Sequence, residues 1–433
     1  MTVHADGSAV AFEHADRGAA TGTSNIVPAL QRVVNNMANR PMGGTVTVGT
    51  PEQADFYPWT GILDLPSKVK LKGMGKPRVE VQSAVSRMIR TEAGGVDNRF
   101  EGFEIECGGF VNWVFDLEDG FRNFVMDDVD VYNGGEVSSG LLVLRIGSGQ
   151  GWKMTNVHTR RAFYLCWNGE GANDGLLEGC TAEEINDLGG LYRYAGGTRR
   201  TWVTRNTVLG HLPNAEGGHF IQGDGENVGQ EENELWVTYN LLQGLQNAFF
   251  MRNPDGSIVR NGAAADMIAV RHTKQFFVGY NLMRFGGEFG VTAVHGSRHG
   301  SISYNQMEDF AGSAVTLGNT VAGTTSPRDV SVIGNRGRRI GLDTSISDAV
   351  RSMIHVRGAR DCDVWGNRGW DLETHGLYIH STTGVPTVEN FTHGNNKWFN
   401  YNGSPVHDTG GGATPITPNW TRGDYTAPDG NPV

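Results

Sequence analysis

WVTRN (202–206), WVTYN (236–240), FVGYN (277–281), SISYN (301–305), SVIGN (331–335) and DVWGN (363–367) are six versions of one phrase. Each is a short run of strand-forming residues that ends in Asn. WKMTN, ending at Asn156, opens the series, and related phrases put Phe103, Asp128, Cys180 and Asn395 at the same place. The spacing runs from 24 to 41 residues, which is the length of one supersecondary unit.

A second phrase lies upstream of most of these: LLVLR (141–145), YLCW (164–167), LYRY (191–194), HFIQ (219–222), FFMR (249–252), IAVR (268–271), TAVH (292–295), VTLG (315–318), IHVR (354–357) and LYIH (377–380). Gly, Asn, Asp or Pro usually follows within two residues, so each strand meets a turn. Two or three short strands per repeat, joined by such turns, describe one coil of a parallel β-solenoid. A single coil cannot bury its apolar face, whereas coils stacked about 4.8 Å apart bury it and pair their backbones. The repeated Asn tolerates left-handed dihedrals, and its amide can bond the Asn one coil away, so these residues read as a structural ladder.

Alternation sorts the second phrase into two columns. Leu144, Cys166, Ile221, Met251, Val270, Val294, Leu317, Val356 and Ile379 read as inward, with Arg193 the exception. Arg145, Trp167, Tyr194, Gln222, Arg252, Arg271, His295, Gly318, Arg357 and His380 read as outward. An open solenoid end exposes a sheet edge and needs a cover. Residues 24–39, SNIVPALQRVVNNMAN, provide one: Ile26, Leu30, Val33, Val34 and Met37 share a helical face, with Ser24 as N-cap. The expected organisation is an N-terminal segment with this helix (1–42), a parallel β-helix of about eleven coils (43–398) and an extended Gly/Pro/Thr-rich tail (399–433). N-x-[ST] sequons stand at Asn390, Asn402 and Asn419.

Composition narrows the function. Lys+Arg 36 against Asp+Glu 47 gives −11, which argues against nucleic acid as partner. Glycine makes up 62 of 433 residues without a Gly-X-Y period, so the chain is turn-rich rather than collagenous. No apolar run is long enough for membrane insertion. MTVHADGSAVAFEHADRG does not read as a secretory signal. Four cysteines lack CxxC spacing, so no metal knuckle or disulfide framework is expected. Seven of the 36 basic residues are lysine, and scarce lysine with acidic balance fits a halophilic or GC-rich source.

The segment ALQRVV…GGTVTV…LDLPSKVKLKGMGKPRV (29–79) resembles the opening of the pectate-lyase-like right-handed parallel β-helix superfamily, and the Asn-ending coils extend the resemblance to about residue 396. It implies an all-β right-handed β-helix. The superfamily includes pectate lyases, polygalacturonase-like hydrolases, epimerases and phage or virus tailspikes. The NTD…DD…GHG…RxK set of polygalacturonases and the paired-Asp calcium site of pectate lyases are not matched; MDDVD (126–130) and VHGSRHG (294–300) are the nearest echoes. The resemblance therefore points most to a tailspike or surface spike on a virion. It implies a homotrimer that binds cell-surface polysaccharide or glycoprotein beside other virion proteins. A stand-alone extracellular lyase, hydrolase or epimerase, and a purely structural virion or surface-layer component, are the alternatives.

Glycan cleavage needs two carboxylates flanking a groove, and adjacent coils can supply them. Glu288 with Asp309, near His295, is the expected catalytic set. Trp167, Tyr194, Arg252 and Arg271 are the expected glycan-binding strip, since aromatic faces stack on sugar rings and guanidinium groups bond acidic ones. A lyase would instead use Arg271 or His295 as base, with Arg252 holding the uronate. No metal or cofactor is expected: GDGENVGQEEN (223–233) carries oxygen donors for Ca²⁺ in Asp224, Glu226, Glu231 and Glu232, but without EF-hand spacing.

Overall fold

A computed structural model describes residues 2–3, 8–10, 22–51, 53–133, 141–169, 171–186, 189–212, 218–223, 232–246, 264–318, 325–380, 388–409 and 425–426. The fold is an all-β parallel solenoid of about 12 turns with one short helix near the N-terminus. Contacts divide the chain into two compact units, Met1–Tyr194 and Ala195–Val433, each built of the same coils.

In the first unit, register builds the core. Val46, Leu71, Phe100, Met126, Met154 and Leu177 are successive partners across parallel strands, as are Leu63, Ile89, Phe115, Leu144, Cys166 and Tyr192. All are buried. Side chains one coil apart thus stack apolar on apolar, and within one strand Phe100 and Phe103 lie 4.6 Å apart and nearly parallel. Helix α1 (Val27–Ala38) packs Leu30, Val33, Val34 and Met37 onto the strands Gly44–Val48 and Leu63–Leu65. It starts later than Ser24 suggests: Pro28 occupies the first turn, and Asn25 Oδ1 accepts the Val27 N–H. Gln31 exchanges two hydrogen bonds with the Asp64 backbone, so α1 satisfies an open edge there.

The second unit carries the asparagine ladder. Asn206, Asn240, Asn281, Asn305, Asn335, Asn367 and Asn396 are each at most 1 % exposed. From Asn206 to Asn367, each donates both its backbone N–H and its Nδ2 to the Oδ1 of the next, at 2.9–3.1 Å. The residue before each rung is left-handed: Arg205, Tyr239, Tyr280, Tyr304, Gly334, Gly366 and Asn395 all have positive φ. Here the structure corrects the repeat by one residue. Asn396, not Asn395, is the rung, and Asn156 takes the left-handed position, exposed and bonded to Asp127. Asn is common at both positions because it tolerates positive φ and offers an amide.

The left-handed position also carries three exposed tyrosines, Tyr239, Tyr280 and Tyr304, whose rings stack at 5.2 and 5.4 Å. A Cβ on Gly334 would meet Tyr304 at 2.6 Å, so glycine is required where the stack ends. Cys107, Cys166, Cys180 and Cys362 are buried and form no disulfide, and burial pushes the Cys180 and Cys362 thiols up to about 12.

Asn305→Ala removes a rung from each side and strands buried polar groups. It is expected to cost about 3 kcal/mol in urea unfolding, while Asn156→Ala, on the surface, costs about 1 kcal/mol because alanine resists the positive φ there.

Candidate functional site

Each unit has an outer row on the strand that carries the second phrase. In the first, Arg90, Asp116, Arg145, Trp167 and Arg193 are successive register partners. Asp116 is fully buried between Arg87 (2.5 Å) and Arg145 (2.8 Å), and both guanidinium groups lie over Trp113, at 5.3 and 4.9 Å. Arg193 lies 5.5 Å from the Trp167 ring. Trp167 and Arg145 therefore stand where alternation puts them. Tyr194 does not: it is 1 % exposed, stacks on Tyr192, and Arg193 takes the outer place. A one-residue slip flips a side chain to the other face. The signal against it was in the sequence, because an unpaired arginine does not face a core.

The second unit's row is polar yet covered. Ala269, Thr292, Thr316, His355, Tyr378 and His407 follow one another in register. Their neighbours Val291, Val315, Ile354 and Leu377 point inward, so this file points outward; nevertheless Thr292, Thr316 and His355 are 4 %, 2 % and 1 % exposed. Beside Thr292 lies Asp266. Thr292 Oγ1 donates to its Oδ2 (3.1 Å), His219 Nδ1 approaches the same oxygen at 3.4 Å, and Arg271 approaches His219 Nε2 at 3.2 Å. Asp266 Oδ1 has no partner, nor do Thr316 Oγ1 and His355 Nδ1. Three buried polar atoms without partners thus fall within four successive coils, although such groups are nearly always satisfied.

Burial also sets the protonation states. It raises the Asp266 carboxyl to about 6, against the opposing pull of Arg271. It lowers His355 to about 3, helped by His380 and Arg357, and His355 Nε2 lies 3.3 Å from His380 Nδ1. His295 is lowered too, first by burial and then by the Arg271 and His272 charges. The row thus holds a carboxylic acid that keeps its proton into weakly acidic solution, and His295 and His355 on later coils are imidazoles biased to the neutral form. That is the chemistry of proton transfer, with Arg271 available to an anionic group.

Of the residues expected from sequence, Arg271 and His295 meet here. The register pairs Arg271 with Val294, and His295 lies one residue beyond, in a left-handed turn, its ring 5.6 Å from that of His272. Asp309 stands elsewhere on its coil. It is 2 % exposed and Arg339 holds both its oxygens, at 2.5 and 2.7 Å, with Glu308 joining the same guanidinium. Glu288 is half-buried, and its carbonyl accepts the Gly312 N–H. Arg252, Asp224, Glu226 and Glu231 lie outside the described residues, as does the side chain of Glu232. Asp266, Thr316 and His355 were missed. Their signal is a polar residue inside an otherwise apolar strand, as in ADMIAV (265–270) and MIHV (353–356). No group of three or more His, Cys, Asp or Glu among the described residues is placed to hold a metal ion.

Below its folded pKa, Asp266 is neutral. The folded state therefore loses stability relative to the unfolded chain as pH rises from about 4 to 6. Asp266→Asn abolishes that loss, so between about pH 4 and pH 7 melting measurements should show the variant gaining up to about 3 kcal/mol on the parent. His355 works oppositely: its contribution is lost as pH falls through about 6.5 toward 3, and His355→Gln should flatten that limb.

No family model and no curated protein matches the sequence. Solved structures do match. The tailspike protein of E. coli bacteriophage HK620 aligns over 90 % of this chain and 75 % of its own, at 10 % identity and TM-score 0.59. An alginate lyase in complex with a trisaccharide aligns over 87 % and 84 %, at 11 % identity and TM-score 0.59. The mannuronan C-5 epimerase A-module of Azotobacter vinelandii aligns over 96 % and 98 %, at 13 % identity and TM-score 0.55. The chain thus has the fold of the pectate-lyase-like right-handed parallel β-helix proteins.

Proposed function

We propose that the chain is a viral or phage surface spike that recognises cell-surface glycan along the row from Asp266 to His355, with glycan-cleaving activity centred on Asp266. The observation that carries this is the set of partnerless buried atoms: Asp266 Oδ1, Thr316 Oγ1 and His355 Nδ1. Thr316 and His355 stand on adjacent coils, about 4.8 Å apart, and Asp266 two coils before Thr316, so a hydroxyl-rich chain meeting all three would run along the stack of coils. The tailspike, alginate lyase and epimerase, which share the fold, agree with a glycan ligand.

In this reading Asp266, which burial keeps protonated below about pH 6, gives its proton to the glycosidic oxygen as the bond to the anomeric carbon breaks and a water molecule bonds to that carbon. It takes the part expected of Asp309, whose carboxylate is held by Arg339. His295, neutral at physiological pH, is the proposed base, and Glu288 the proposed second carboxylate. Trp167 with Arg193 is a separate binding strip in the first unit. The proposed assembly is a homotrimer on the virion surface, in contact with other virion proteins.

A stand-alone polysaccharide lyase, hydrolase or epimerase is the second reading. Arg271 beside Asp266 and His219 favours it, because a guanidinium there could hold a uronate carboxylate.

Two measurements test the proposal. Calorimetric titration against a panel of capsular and lipopolysaccharide glycans should find a ligand whose affinity Thr316→Val and His355→Phe each weaken about tenfold, while Asp266→Asn binds it but releases no reducing ends. Binding untouched by all three variants would remove the row from the site. Light-scattering mass should be about three times 46.9 kDa; a monomer at low and at multimolar salt would sink the trimeric spike and leave the free enzyme.

A further inference from the structure

A second file of charge runs down the same unit, one turn away in sequence from the row. Lys274, Arg298 and Arg328 are successive register partners across parallel strands, and Arg360 and Glu389 follow through isolated bridges. Four cations thus stand directly opposite one another on four coils, in a chain whose net charge is −11. Like charges facing across a ladder are destabilising. Among the described residues, Arg360 meets Glu389 at 3.2 Å. Lys274 and Arg328 have no ion-pair partner among them, although the acidic Asp329 is adjacent in sequence. That carboxylate is turned to His299, at 3.2 Å.

Beside the file is a cavity of about 410 Å³ lined by Arg298, Arg328, Arg360, Ser326, Asp361 and Glu389, among others. Its carboxylates are engaged, Glu389 by Arg360 and Asp361 by the Asn390 amide at 2.8 Å. Ser326 is 6 % exposed, and its hydroxyl, a donor, has no partner. Stacked guanidinium groups, a cavity of small-ligand size and a hydroxyl donor are the groups that bind anions.

We propose that the Lys274–Arg298–Arg328–Arg360 file binds a linear polyanion, a polysaccharide bearing regularly spaced carboxylate or sulfate groups, with one anionic group seated in the cavity against Arg328 and the Ser326 hydroxyl. The site is independent of the proton-transfer row and uses none of its residues. The anion would relieve the repulsion that the coil spacing imposes on the cations.

The test uses the full chain and three polymers: a polyuronate for carboxylate, dextran sulfate for sulfate, and neutral dextran. At least one anionic polymer should bind at low salt, raise the melting temperature and weaken as salt is added, while neutral dextran should not bind. The double variant Lys274→Gln/Arg328→Gln should lose at least tenfold in that affinity. Its melting temperature without polymer should be unchanged or higher, because repulsion has been removed. Asp266→Asn should bind the polyanion like the parent, which separates this site from the row. The polymer that binds tighter identifies the anionic group. Failure of both anionic polymers to bind, undiminished binding by the double variant, or a lower melting temperature in that variant would each overturn the proposal.

Discussion

The hydrogen bond from one asparagine to the next coil's asparagine is the constraint on which the second unit depends. A buried primary amide must have its oxygen and its nitrogen answered at a cost of several hydrogen bonds if it fails. Stacking answers both with an identical group, so the solution for one coil is the solution for all. That condition fixes register, because a slip of one residue would leave the amide facing a side chain that can neither give nor take. It also fixes the residue before each rung, which must turn left-handed to deliver the amide into the core. The first unit meets the same geometric demand with Val129, Val157 and Cys180 and with apolar side chains stacked from coil to coil, which needs no polar agreement but specifies register less sharply.

Much of this was legible in the sequence, and for a definite reason. The phrase ending in Asn recurs because every coil solves the same packing problem, so repetition announced the solenoid and its helix-covered end. The register errors were slips of one residue: Asn395 for Asn396, Asn156 for its neighbour Val157, Tyr194 for Arg193, and His295 for Val294. Period-two alternation is sensitive to such slips, and in LYRY and TAVH the aromatic and small residues fit either face. Only pairing with the neighbouring coils decides between them.

The chemistry was less legible than the fold because it comes from burial rather than from residue type. Asp309 looked like a catalytic acid on a turn, yet Arg339, 30 positions later, engages both oxygens. Asp266 looked like an interruption in an apolar strand, yet a position that points outward and is still covered gives it an altered proton affinity. The same logic separates the two files of the second unit. One is enclosed and nearly free of net charge, suited to hydroxyls and proton movement. The other is open and cationic, suited to long-range attraction.

The four thiols have a consequence of their own. Each is enclosed within its unit and held protonated, so none offers the thiolate through which oxidants and disulfides react. The covalent structure is then the same in a reducing cytosol and in an oxidising exterior. Such a chain can be folded in one redox environment and used in another with no bond to make on the way.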